Sequence, residues 1–179
     1  MQNLVIRALP GIGALFAVAA FAAPTHAAPA ANAQQAQDAC IGYLLQTIRA
    51  MPEGTYLEFQ PDPDRPTPPG HTVPTGTGSF LLPRDEYYVI SYRLLGDSGS
   101  AAYTDAESAW EDLGWPTNRK PPLSNGAQQT NTHPTADYTL DALFVVGPTG
   151  SRVTLSCTTA STFPGGGPGS VPAPTTLTR

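Results

Sequence analysis

The stretch that most constrains this chain is residues 137–159, which reads DYTLDALFVV, then GPTG, then SRVTLSCTT. In the second arm Val153, Leu155 and Cys157 alternate with Arg152, Thr154, Ser156 and Thr158. A period of two with one apolar and one wet face belongs to a strand covered on one side only. In the first arm Tyr138, Leu140, Ala142, Phe144 and Val146 share a face, opposite Thr139, Asp141, Leu143 and Val145. Gly147-Pro148-Thr149-Gly150 joins the arms; proline presets φ and the glycines accept positive φ. The stretch predicts a β-hairpin with Cys157 on its inward face.

The other end predicts the compartment. Residues 1–27 carry Arg7 and no acid, an apolar run from Ala8 to Ala23, and the small residues Thr25 and Ala27 before Ala28. That three-part pattern is a secretory signal peptide with cleavage after Ala27. The run is shorter than the roughly 20 residues a spanning helix needs, so no membrane anchor is expected after cleavage. With no cysteine near the cleavage site, the released chain should carry no lipid. In an exported chain two cysteines favour one disulfide, Cys40 to Cys157; the alternative is two free buried thiols.

Removing residues 1–27 leaves eight basic against fourteen acidic side chains. An acidic surface with His71 and His133 outside any basic cluster does not suit a phosphate backbone, so no nucleic-acid partner is expected. Ten of the twenty prolines and seven of the seventeen glycines fall in Pro61–Gly78 and Pro164–Pro174. These segments read as a long Pro/Thr/Gly loop at 61–79 and a disordered tail at 164–179, since little in them can be buried.

Between these landmarks the apolar spacing sets the elements. Cys40, Leu44 and Ile48, widened by Ile41, Leu45 and Met51, predict an amphipathic helix over about 34–50 that Pro52 stops. Thr55–Phe59 is a short strand, Phe80–Leu82 a strand fragment, and Glu86–Leu95 a strand with Tyr88, Ile90, Tyr92 and Leu94 on one face. Thr104 with Glu107 reads as a capping box opening a second helix, whose stripe is Ala106, Ala109, Trp110 and Leu113. Gly114 is placed as its left-handed C′ residue, with Trp110 and Trp115 in the hydrophobic contact of a Schellman ending. Trp115–Arg119 is an edge strand and Lys120–Ala136 a polar loop. The sum over 34–163 is one α+β domain, a mainly antiparallel sheet with both helices on one face.

Catalytic signals are weak. Gly96-Asp97-Ser98-Gly99 copies the nucleophile turn of chymotrypsin-like proteases, but Ser100 follows it and His71 lacks the matching context, so a turn is the better reading. A Ser124, His133, Asp137 triad rests on loop spacing alone. Asp62 and Asp64 are too proline-bound for a calcium loop, and neither His71 nor His133 has helical ligand spacing. The pairs Asp85-Glu86 and Glu111-Asp112 split across faces of their elements. No catalytic residue, metal or cofactor is expected. Tyrosines are plentiful, and Tyr56, Tyr87, Tyr88 and Tyr103 are candidates for an aromatic recognition surface.

The Ala-rich signal, the helix ending Met51-Pro52-Glu53-Gly54-Thr55, and Ala109-Trp110-Glu111-Asp112-Leu113-Gly114-Trp115 ahead of a hairpin ending in Cys157 resemble small exported proteins and lipoproteins of actinobacteria, the mycobacterial type especially. The resemblance implies envelope export and an α+β fold, and brings no catalytic residues. The expected function is therefore a secreted, non-catalytic protein that binds an envelope or extracellular partner, protein or small molecule. A secreted hydrolase with an unrecognised site, and a structural protein glycosylated on its Thr-Pro tracts, are the alternatives.

Overall fold

A computed structural model describes residues 30, 32–61, 70–74, 85–96, 99–148, 150–160, 162–164 and 172–179. Residues 1–27, read as a signal peptide, most of the segment 61–79, the expected Phe80–Leu82 fragment, Asp97, Ser98 and the Gly-rich part of the tail lie outside these residues. The elements run α1 (Ala33–Ala50), β1 (Tyr56–Glu58), β2 (Gly70–Pro74), β3 (Asp85–Leu95), α2 (Gly99–Asp112), β4 (Thr117–Arg119), β5 (Gln128–Thr135), β6 (Tyr138–Gly147), β7 (Gly150–Thr159), β8 (Phe163–Pro164) and β9 (Thr176–Leu177).

All described strand pairings are antiparallel. The order is β4-β5-β6-β7-β3-β1-β9, with β2 and β8 also bonded to β3. The hairpin forms as expected, in register from Tyr138↔Thr159 to Gly147↔Gly150. Its inward residues Leu140, Ala142, Val153, Leu155 and Cys157 are buried, whereas Val146, at the hairpin's far end, is 66% exposed. β3 is the hub: one edge takes β7, the other takes β1 and β2 in succession.

Both helices pack on the same sheet face, α1 over β3 and β7, α2 over β6 and β7, and they touch each other. Asn32 caps α1, its side chain accepting from the Gln35 amide at 3.0 Å. Cys40, Leu44 and Ile48 are fully buried, and Cys40 is joined to Cys157 across a Cα–Cα distance of 5.6 Å. The bond ties the first helix to the last long strand. Under the helices three buried aromatic polar tips find specific acceptors: the Trp110 indole N–H donates to Thr47 Oγ1 at 3.0 Å, the Tyr88 hydroxyl to Gln37 Oε1 at 2.8 Å, and the Tyr92 hydroxyl to the Pro174 carbonyl at 2.7 Å. Such partners are what make burial of these groups tolerable.

α2 ends as its sequence predicts. Gly114 has φ +76, the Trp115 amide bonds the Trp110 carbonyl at 2.8 Å, and the Gly114 amide bonds Glu111 at 2.9 Å, the two bonds of a Schellman motif. Its start differs. The helix begins at Gly99, and Thr104, inside it, donates back to the Ser100 carbonyl at 3.1 Å, so the capping box does not form. The reason is packing: Ala102 and Tyr103 are buried and extend the apolar stripe one turn earlier.

Three other expectations change. Residues 128–135, read as loop, form β5, whose inward Thr130 and Thr132 are fully buried in place of aliphatic residues. Within the Pro-rich segment, Gly70–Pro74 pairs with β3; three residues able to pair, His71, Thr72 and Val73, sit between flanking breakers. Finally, the expected disordered tail is docked at both of its described parts. β8 pairs with β3, and β9 extends the sheet beyond β1. Ala173 and Leu177 are buried, the Phe59 amide bonds the Thr175 carbonyl at 2.7 Å, and the Arg179 guanidinium donates to the Arg49 and Met51 carbonyls at the end of α1.

Candidate functional site

The four tyrosines proposed as one recognition surface divide between the two sheet faces and the margin. Tyr87 and Tyr88 are successive residues of β3 and must point to opposite faces. Tyr88 lies on the helix-covered face and is fully buried, and Tyr103 is buried beneath α2. Burial pushes both hydroxyls above the ordinary tyrosine range. Neither belongs to a surface. Tyr87 is half-buried on the uncovered face, and Tyr56 is exposed at the sheet margin, where it lines a shallow pocket of about 460 Å³ with Gly54, Thr55, Thr176, Thr178 and Arg179.

The other catalytic candidates do not converge. Ser124 precedes β5 and Asp137 follows it, and the eight residues of that strand span about 25 Å. They therefore share no triad with His133. Ser98, Asp62 and Asp64 lie outside the described residues. Among the described residues, no three His, Cys, Asp or Glu side chains gather closely enough to hold a metal ion.

A partly buried polar cluster joins α2 to β4. Glu107 of α2 accepts from Arg119 of β4, through Nε at 3.0 Å and through Nη2, and the same guanidinium lies 5.9 Å from the Tyr103 ring centroid. The Tyr103 hydroxyl and Thr130 Oγ1 are buried nearby without a hydrogen-bond partner. Both carboxylate oxygens are taken by one guanidinium, so Glu107 offers no free base. The bidentate geometry instead staples the short edge strand β4 to α2. This is a brace.

The larger feature is the sheet face away from the helices. The pairing registers place five polar side chains in one line across five strands: Ser91, Ser156, Asp141, Asn131 and Asn118. A parallel line runs His71, Val89, Thr158, Thr139, and His133 closes it through a 3.1 Å bond between its Nδ1 and Thr139 Oγ1. On the far side Arg93, Thr154, Leu143 and Gln129 form the next line, and Gln129 Nε2 donates to Asp141 Oδ1 at 3.0 Å. Most of these residues are half-buried, and both described helices lie on the other side of the sheet. Two of their polar atoms, Asn131 Oδ1 and His71 Nδ1, are buried without a hydrogen-bond partner.

No described helix is long and apolar enough to cross a membrane, and the disulfide is compatible with an oxidising, extracellular setting. Comparison with protein-family models, curated proteins and solved structures found no match.

Proposed function

We propose that this chain is an exported, non-catalytic binding protein whose uncovered sheet face receives a partner or ligand outside the cytoplasm. The observation that carries the reading is that face: a polar, multi-strand surface on which neither described helix packs, and whose Asn131 Oδ1 and His71 Nδ1 have no hydrogen-bond partner among the described residues. Buried polar groups are normally paired, and leaving one unpaired costs about 1–3 kcal/mol, so a partner that draws these two side chains outward into hydrogen bonds recovers that cost. The signal-like residues 1–27, the disulfide and the resemblance to small exported actinobacterial proteins all support an envelope or extracellular setting.

The test is retention of the purified protein on the cell-envelope fraction of the organism that encodes it. Ser156 sits mid-face, where a large charged side chain blocks approach without entering the core. Ser156→Arg is expected to melt within about 2 °C of wild type, as surface substitutions do, and to lose retention. Full retention by that variant contradicts the open-face reading. Turnover of an ester or peptide panel that Ser98→Ala abolishes contradicts the non-catalytic one.

A further inference from the structure

We infer that the ligand of this face is a neutral, polyhydroxylated chain, a glycan, held along the Ser91–Ser156–Asp141–Asn131–Asn118 line and its His71–Val89–Thr158–Thr139–His133 neighbour. The inference rests on the open face being the binding surface, and it is carried by the chemistry of these two lines.

The first argument is what the lines contain. Ser and Thr hydroxyls each donate one hydrogen bond and accept two, Asn presents a carbonyl and an amide side by side, and Asp accepts at two oxygens. Vicinal hydroxyls of a sugar ring need this mixture of adjacent donors and acceptors. The two lines hold one formal charge, Asp141, and no Lys or Arg. An anionic ligand finds no cation in the two lines and, in the adjacent line, Arg93, which already donates to Gln60 at 3.1 Å; a single carboxylate falls short of the several oxygens a hard cation requires. Nor do the lines carry the aromatic, Met and Arg anchors that dominate protein interfaces.

The second argument is stiffness. Long side chains such as Lys and Glu lose much rotamer freedom when a ligand orders them. Ser, Thr, Asn and Asp are short, and all of those in the two lines except the exposed Asn118 are half-buried. Ligand binding freezes little that is not already fixed.

The third is spacing. Adjacent strands lie about 4.8 Å apart, so successive side chains along either line repeat at that interval. That repeat is close to the rise of one pyranose unit in an extended glycan, so a chain laid across the strands meets the same kind of partner at each sugar. Asn131 Oδ1 and His71 Nδ1, on opposite sides of the patch, are shielded from solvent without a hydrogen-bond partner, so ligand hydroxyls reach them only when those side chains turn outward. Tyr87 shares the face beside Val89, opposite Val73, and gives a half-buried ring on which the C–H face of a sugar can stack.

A glycan microarray carrying neutral and sulfated oligosaccharides tests this, read at low and at high salt. The expected result is signal on at least one neutral glycan, unchanged by salt, and reduced tenfold or more in both Asn131→Ala and Asp141→Asn. Wild-type melting behaviour in each variant separates lost contacts from lost folding. Three results overturn the inference: silence on all neutral glycans, signal on sulfated glycans alone, or neutral-glycan signal that both variants retain. Silence on the array with envelope retention still abolished by Ser156→Arg removes the glycan and leaves the binding face standing. Silence on the array with retention intact in Ser156→Arg removes both.

Discussion

Breaking the Cys40–Cys157 bond should be the largest single loss of stability available in this protein without touching a large side chain. The two cysteines are 117 residues apart in sequence. In the chain-entropy treatment, freeing a loop of that length costs about 5 kcal/mol, and measured losses usually fall lower, at about 2–4 kcal/mol. The folded state should change little, because α1 stays packed through Leu44, Ile48 and the Trp110–Thr47 bond. The loss then lies in the unfolded ensemble, and that has a signature. Urea unfolding of oxidised protein, compared with protein kept in excess dithiothreitol, should show a midpoint drop together with a larger m-value, since the uncrosslinked chain exposes more surface. In thermal unfolding the same loss corresponds to roughly 10 °C for a chain of this size. Cys40→Ala/Cys157→Ala should reproduce it, with a further loss for the space left by two buried sulfurs. A loss under about 1 kcal/mol with an unchanged m-value would refute the loop-closure reasoning.

Three further outcomes follow from the packing. Burial pushes the Tyr92 hydroxyl up to about 12, and Tyr88, Tyr103 and Tyr138 move the same way. Below pH 10 the proton is held in both folded and unfolded states; above it the unfolded chain ionises first, so stability should fall between about pH 10 and 12, by at most about 1.4 kcal/mol per pH unit for each such group. Tyr92→Phe should flatten that fall in pH-dependent urea titrations, and an unchanged slope would count against the assignment. A Cβ at Gly70 would lie 1.7 Å from the Tyr88 hydroxyl, whose ring is fully buried and tied to Gln37, so Gly70→Ala should cost about 1–3 kcal/mol in chemical unfolding. Leu177→Ala should release β9 from β1 and expose residues 172–179 to limited proteolysis, with wild-type cleavage kinetics contradicting the docked end.

What could be read from residue order follows from how locally each feature is encoded. The hairpin, the α1 stripe and the Gly114 ending each need only neighbouring residues, and the disulfide follows from placing two cysteines on inward faces independently. β5 was missed because its inward positions are Thr130 and Thr132, whose methyls are buried while their residue type reads as polar. The docked end was missed because a single leucine among prolines and threonines carries no period. The same lack of context led Tyr87 and Tyr88 to be grouped together, although a strand must separate them. The open face was illegible for a different reason. Its lines run perpendicular to the chain, through Ser91, Ser156, Asp141 and Asn131, and only the pairing registers make them neighbours.

If the protein binds as proposed, that face is the one covered in the complex. Hydroxyl-radical footprinting of the protein, free and bound to the envelope fraction, reads this directly. Protection is predicted at His71, Tyr87 and His133, with Ile41, Tyr43 and Leu113 on the helix side unchanged. Protection on the helix side, with the two histidines and Tyr87 as reactive as in free protein, would contradict it.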